Sequence, residues 1–215
     1  MHARVPPADR RVRLVNPERR MMEATLLLCG ERGYAQMSTL EVIKRAGESR
    51  KTFYELYESK EECFLRAHDA GMEQLARQVL QPARAASDWC AGVRAGLTAA
   101  VELVEEQPTI ARCLLIEASA AGRRTMAKRA EVLRRFGNEL DRVRRQIPSA
   151  AKLPPLASEI VVGGLESQLR MHLQTGDPPK LQELLPELAY FAINPYLGHK
   201  VATEQWRLMK GARDG

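Results

Sequence analysis

Residues 49–62, "SRKTFYELYESKEE", set a serine, two cations and a threonine directly ahead of a tight aromatic cluster. Ser49 can cap a helix by accepting from a backbone N–H in the first turn. Phe53 and Leu56 lie on the side that can pack inward, whereas Arg50, Lys51 and Thr52 project from the exposed start. A recognition helix needs this division, because one face must hold to its own domain while the leading turns meet base edges and phosphates. Arg50 and Lys51 offer donors suited to guanine O6 and N7, Thr52 a hydroxyl or a methyl, and Tyr54 a hold on phosphate. The helix start itself favours an anion.

Upstream, "NPE" at 16–18 reads as a helix start, with Asn16 as cap, Pro17 at the first helical position and Glu18 at the positive end of the dipole. That helix runs to about Arg32, with Met21, Thr25, Leu28 and Cys29 on one side, and Gly33 ends it. "STLEVIKRAG" follows, in which Ser38 and Glu41 have capping-box spacing and Leu40, Ile43 and Ala46 form the apolar side. Gly47 supplies the turn into the quoted stretch. Ser59 and Glu62 repeat the capping box and open a longer helix to about Leu80. Three helices in quick succession, the second and third joined at a glycine, predict a helix-turn-helix.

Beyond Pro82 the apolar spacing is that of longer helices. One stripe is Val93, Leu97, Ala100, Val101 and Val104, a second Ile110, Cys113, Leu114 and Glu117, and a third Met126, Leu133, Phe136, Leu140 and Val143. Pro and Gly mark loops at 147–155 and 175–179, and two more helices are expected at about 156–174 and 180–192, the second closed by "NPYLG". The expected fold is all-α, with about nine helices. The domains divide as a basic arm at 1–15, a helix-turn-helix DNA-binding unit at 16–62 and a helical body at 63–215.

The composition agrees: 45% of the 215 residues are hydrophobic and only 5% aromatic, with Ala, Leu, Glu and Arg recurring. The net charge of +6 is uneven. Residues 1–20 carry a net +4 and residues 123–145 a net +6, so the remainder is acidic. Both basic stretches suit an anionic partner. Arg10, Arg11 and Arg13 belong to an arm that either enters a neighbouring minor groove or adds nonspecific attraction. The stretch 123–145 is expected to be a solvated amphipathic helix instead.

Cys29, Cys63, Cys90 and Cys113 lie far apart, and neither they nor the four histidines have metal-ligand spacing, so no metal or cofactor is expected. No apolar run approaches the roughly 18 residues of a membrane span, and a cytoplasmic location without a membrane partner is expected. No nucleophile-base pattern or glycine-rich phosphate loop points to an enzyme.

The stretch "ERGYAQMSTLEVIKRAGESRKTFYELYESKEECF" resembles the DNA-binding module of the tetracycline-repressor (TetR) family of transcriptional regulators. The likeness rests on Gly33-Tyr34, Ser38, Ala46-Gly47, Ser49, "TFYELY" and Ser59-Lys60-Glu61, and runs without a gap over residues 21–64. "EEQPTIARCLLIEASAAG" and "LLPELAYFAINPYLG" are also similar to one branch of that family. The resemblance implies that Ser38, Thr39, Tyr54 and Lys60 contact phosphates and that Arg50, Lys51 and Thr52 read bases, with Ser49 at the same edge. Met37, Glu48 and Cys29 depart from the family pattern. Glu48 puts a negative charge beside the proposed face, so its side chain must turn away or meet a cytosine amino group.

The resemblance implies a regulatory and dimerisation role for the body at 63–215. The family's implied assembly is a homodimer paired through its last two long helices, here with Ile160, Gly163, Gly164 and Leu188 at the interface. It would bind a double-stranded, partly palindromic operator and be released when a small, largely apolar effector enters the body. Residues expected to line that pocket are Leu75, Val79, Trp89 and Leu97, with Cys113, Glu117, Gln168 and His172. Glu117 sits on an apolar stripe and must be paired, either with an effector or with Arg112 or Arg170. A regulator with a filled body and no effector is the alternative reading.

Overall fold

The computed structural model describes residues 16–145, 147–175 and 180–211. Among these, nine longer α-helices, one four-residue α-helix and two short 3-10 helices, at Glu117–Ser119 and Asp141–Arg145, form the fold, with no strand. The predicted arm at 1–15 and the loop at 176–179 lie outside the described residues.

Local sequence chemistry sets the first helices. α1 spans Pro17–Arg32, with the Asn16 side chain accepting from the Glu18 N–H at 2.9 Å. Its buried side holds Met21, Ala24, Thr25, Leu28 and Cys29. α2 spans Thr39–Ala46 behind a complete Ser38/Glu41 capping box, and Gly47 leaves it in the left-handed region, φ 67° and ψ 33°, which a side chain would resist. α3 spans Arg50–Leu56. Leu40, expected on the packed side of α2, is 55% exposed, and Val42, Ile43 and Ala46 carry the packing.

α4 spans Lys60–Ala85 and is about 39 Å long at 1.5 Å per residue. It runs through Pro82 rather than ending near Leu80, since a proline within the last turns disturbs few helical hydrogen bonds. α5 (Trp89–Glu106), capped by Asp88, and α6 (Pro108–Leu115) follow, then a 3-10 turn at Glu117–Ser119. α7 (Arg123–Leu140), the short α8 (Pro148–Ala151), α9 (Ala157–Gln174) and α10 (Leu181–Gly211) complete the chain. α4 is the spine of the body, packed on α5 and α7 and reaching back to α1.

Two expectations about the later helices need correction. "NPYLG" does not end the last helix. Gly198, at φ 79°, breaks it, and a further segment runs to Gly211 because Val201 and Ala202 find cover against Val93, Ala192 and Ile193. On α7, Met126 is exposed, whereas Thr125, Val132 and Gly137 face the core.

Within the basic stretch 123–145, Lys128, Arg129, Arg135 and Arg142 are paired inside the chain. Glu73 on α4 takes Lys128 at 2.7 Å and Arg135 at 2.8 Å, which holds its carboxyl down at about 2 against an ordinary 4.5. A depressed carboxylate stabilises the fold above its unfolded value and loses that contribution as pH falls through its folded one. Glu73→Gln is therefore expected to melt below the parent at neutral pH, with the difference vanishing between pH 4.5 and about 2 in thermal melts.

Candidate nucleic-acid interface and ligand cavity

The start of α3 is an open cationic edge on a packed base. Ser49 Oγ accepts from the Thr52 N–H at 3.0 Å and lies 2.9 Å from the Thr52 hydroxyl, which fixes the first turn. Arg50 is exposed, and the Lys51 side chain is 83% exposed with only Glu55 near, at 3.8 Å. Phe53 is fully buried, and its ring meets those of Tyr54 and Tyr57 at 5.3 and 5.4 Å. Tyr57 is core as well, its hydroxyl donating to the Glu18 carbonyl at 3.3 Å, with burial pushing the phenol well up. Tyr54 stands out from this base, 62% exposed. Ser38 and Thr39, at the start of α2, also reach the surface. Ser38 Oγ is held by Glu41, whose carboxyl that contact lowers.

Glu48 turns away from this edge. Its carboxylate accepts from Arg20 on α1, and both side chains are mostly buried, so the acid ties the turn to α1. Lys60, expected as a phosphate contact, also has partners within the chain. Its ammonium donates to the carbonyls of Tyr34 (3.3 Å) and Met37 (2.9 Å) and lies 4.7 Å from the Tyr34 ring centroid. Two of its three donors thus hold the loop between α1 and α2 to the first turn of α4. Arg10, Arg11 and Arg13 lie outside the described residues.

In the body, α4, α5, α7 and α9 enclose a cavity of about 330 Å³. Met72, Leu75, Val79, Leu97, Leu133 and Phe136 line its length. Trp89 lies at one end with its Nε1–H donating to the Leu140 carbonyl at 3.2 Å. At that end Arg84, Glu139 and Arg142 also reach the cavity. Arg84 Nε lies 2.8 Å from Glu139, whose second oxygen accepts from Arg142. Burial works against the Glu139 charge, but the two guanidiniums prevail and hold its carboxyl below the ordinary value. Glu166, 8% exposed, lines the cavity elsewhere and is held by Arg129 at 2.5 Å.

Residues 21–67 match the family model for bacterial regulatory proteins of the tetR family. The N-terminal domain is a TetR-family domain. The chain as a whole has the TetR-like fold. The fatty acid degradation regulator FadR from Bacillus halodurans is similar with a TM-score of 0.74 and 16% identity, over 83% of this chain and 95% of that one. FadR from Bacillus subtilis, in complex with stearoyl-CoA, gives 0.70 and 15% over 82% and 98% of the two chains. AibR, in complex with isovaleryl coenzyme A and operator DNA, gives 0.65 and 15% over 81% and 96%. No curated protein sequence matches this chain.

Of the residues expected to line a pocket in this TetR-like body, Leu75, Val79, Trp89 and Leu97 do so. Cys113, Glu117, Gln168 and His172 do not. Cys113 is fully buried at the joint between α6 and α1, where a hydrogen bond with Cys29 and then burial raise its thiol. Glu117 pairs with neither Arg112 nor Arg170. The 3-10 turn after α6 swings it toward the TetR domain, where Oε2 accepts from the Tyr34 N–H at 3.1 Å. Arg112 donates instead to the Leu173 carbonyl, and Arg170 lies 3.9 Å from Glu166. Gln168 is exposed, and His172 sits near the end of α9. Sequence reasoning missed Glu166, though its signal was present: an acid among Val162, Leu165 and Leu169 on one helical face.

The expected dimer residues also separate. Ile160 is 70% exposed, and a Cβ at Gly163 or Gly164 would meet nothing within 4 Å. Leu188 is buried in the chain's own core, because it shares a helical face with Leu181, Leu185 and Ala192. Large apolar residues that do face outward on that helix are Phe191, 66% exposed, and Leu208, 54% exposed. Among the described residues no helix is long and apolar enough to cross a membrane, and no cluster of three metal-ligating side chains occurs.

Proposed function

We propose that this chain is a DNA-binding transcription regulator that represses from a partly palindromic operator as a homodimer and is released by a small, largely apolar effector. The observation that carries the reading is the start of α3, where exposed Arg50 and Lys51 ride on a helix anchored by buried Phe53. Thr52 and Tyr54 extend the same edge, with Ser38 and Thr39 beside it as phosphate contacts. The units are residues 16–62 for DNA and 63–215 for dimerisation and effector.

Exposed Ile160, Met171 and Phe191 with open Gly163 and Gly164 support pairing of α9 and α10 with a second copy. Apolar side chains of that size seldom cluster on a free surface. A two-fold dimer then offers two α3 helices to successive turns of one duplex face. The cavity supports an effector, and its apolar walls agree with the acyl chains bound by the FadR and AibR proteins. α4 links the two ends: Lys60 clamps the loop beside α2, and Leu75, Val79 and Arg84 line the cavity. An effector that prefers a shifted α4 opposes operator binding, and by linkage the operator opposes the effector.

Footprinting the purified protein on DNA flanking its own coding region tests the reading. A protected site with two-fold symmetry is expected, lost or halved with Ile160→Glu, which should sediment as a monomer. No protected site, or an unchanged footprint from a monomeric Ile160→Glu, would remove the dimeric repressor.

A further inference from the structure

The charged residues of the cavity do not all have the same freedom. Glu166 is already taken by Arg129, with Arg170 behind it. Asp88 is occupied as the cap of α5, accepting from the Ala91 N–H at 2.8 Å. What remains at the mouth is Arg84, Arg142 and Glu139, two guanidiniums on one carboxylate, so that within this cluster the cations exceed the acid by one. Arg84 and Arg142 are about half exposed, whereas the Glu139 side chain is 16% exposed and lies inward of them. Each guanidinium has five N–H donors, and Glu139 accepts from one group of each, so most of that donor capacity is not used by Glu139.

Resting on the reading of the cavity as an effector site, we propose that the effector is an amphipathic anion. Its apolar chain lies along Leu75, Val79, Leu97 and Phe136, and its carboxylate or phosphate head takes Arg84 and Arg142 in competition with Glu139. Forked guanidiniums match both head groups, and charge-assisted bonds to them exceed those to a neutral hydroxyl. A cationic head meets repulsion at the same place.

The competition has a mechanical consequence. Arg84 stands in the last turn of α4, and its bond to Glu139 ties that end to the end of α7 across 55 residues of sequence. An anion that draws Arg84 from Glu139 loosens this tie at the far end of the helix whose first turn holds the DNA-binding domain. Glu139 thus acts as an internal stand-in for the effector head.

The test uses the full-length Trp206→Phe protein, leaving Trp89 at the cavity mouth as the single tryptophan, excited selectively over the tyrosines. Dodecanoate, dodecyl phosphate and dodecanoyl-CoA are titrated beside dodecanol and dodecyltrimethylammonium, all as monomers in solution. The anions are expected to bind about tenfold or more tighter than dodecanol, as charge-assisted bonds to a guanidinium require. Arg84→Gln and Arg142→Gln should each weaken the anions about tenfold and leave dodecanol unchanged, while Glu139→Gln strengthens the anions. Melting curves of the three variants check that the fold is kept. Preference for the phosphate or CoA head over dodecanoate supports a phosphate-bearing effector, preference for dodecanoate supports a carboxylate, and equal binding of the three supports recognition of the negative charge itself. Equal affinity for dodecanol, or anion affinity indifferent to both arginines, overturns the proposal while the effector reading stands. Failure of every probe, dodecanol included, overturns both.

Discussion

Arg50→Ala together with Lys51→Ala is expected to weaken operator binding by about a hundredfold or more, since each well-placed base contact supplies roughly 1–3 kcal/mol of discrimination. The melting temperature and the oligomeric state should not move. Neither side chain is part of the core: Lys51 has only the exposed Glu55 at 3.8 Å, and such surface pairs add little to stability. Phe53 and Tyr57, which anchor α3, remain in place. Anisotropy titrations at one fixed salt concentration, on the footprinted site and on a scrambled duplex, make the measurement. Loss should be larger on the true site, because nonspecific attraction is carried by many phosphate contacts and these variants remove base readers. Equal loss on both duplexes would recast the two residues as phosphate contacts. No loss on either would take the start of α3 off the DNA.

The same stretch shows why the head was legible in the sequence and the body only in part. Ser38 with Glu41, Gly47, Ser49 with Thr52 and Ser59 with Glu62 each act within four residues, so the chain itself displays cause and effect together. Leu40 was misplaced there, and the open choice at Glu48 depended on Arg20, 28 residues away. In the body, a helical stripe says which side of a helix is covered but not by what. Cys113 and Leu97 look alike on that basis, yet one meets Cys29 at the head and the other lines the cavity. Leu188 and Phe191 differ by three positions, enough to exchange core for surface. The charged mouth was missed because Arg84 lies on α4, 55 residues from the local pair Glu139 and Arg142, and only the packing of α4 against α7 brings the three together.

Gly30→Ala is expected to destabilise the fold by about 3 kcal/mol or more and to impair effector control, although alanine is the better helix former. Propensity alone argues for a gain of about 1 kcal/mol at an interior position of α1. Space argues the reverse. A Cβ at Gly30 would stand 1.9 Å from the Thr109 carbonyl oxygen and 2.7 Å from its carbon, backbone atoms of α6 that no rotamer change can move. α1 and α6 must therefore part, and the groups they bring together part with them: Cys29 from Cys113, and the Tyr34 N–H from Glu117 at 3.1 Å. This joint, with the Lys60 clamp, fixes the angle of the DNA-binding domain on the body, so loosening it should lower the melting temperature and blunt the response of operator affinity to effector together. Gly163→Ala supplies the contrast, since nothing lies within 4 Å of its Cβ and only the propensity gain applies to the single chain. Thermal melts of both variants, with operator titrations with and without a bound effector, make the comparison. A Gly30→Ala protein as stable as Gly163→Ala would mean that α1 and α6 do not touch backbone to backbone, and the joint could not then transmit movement between α4 and the DNA-reading helix.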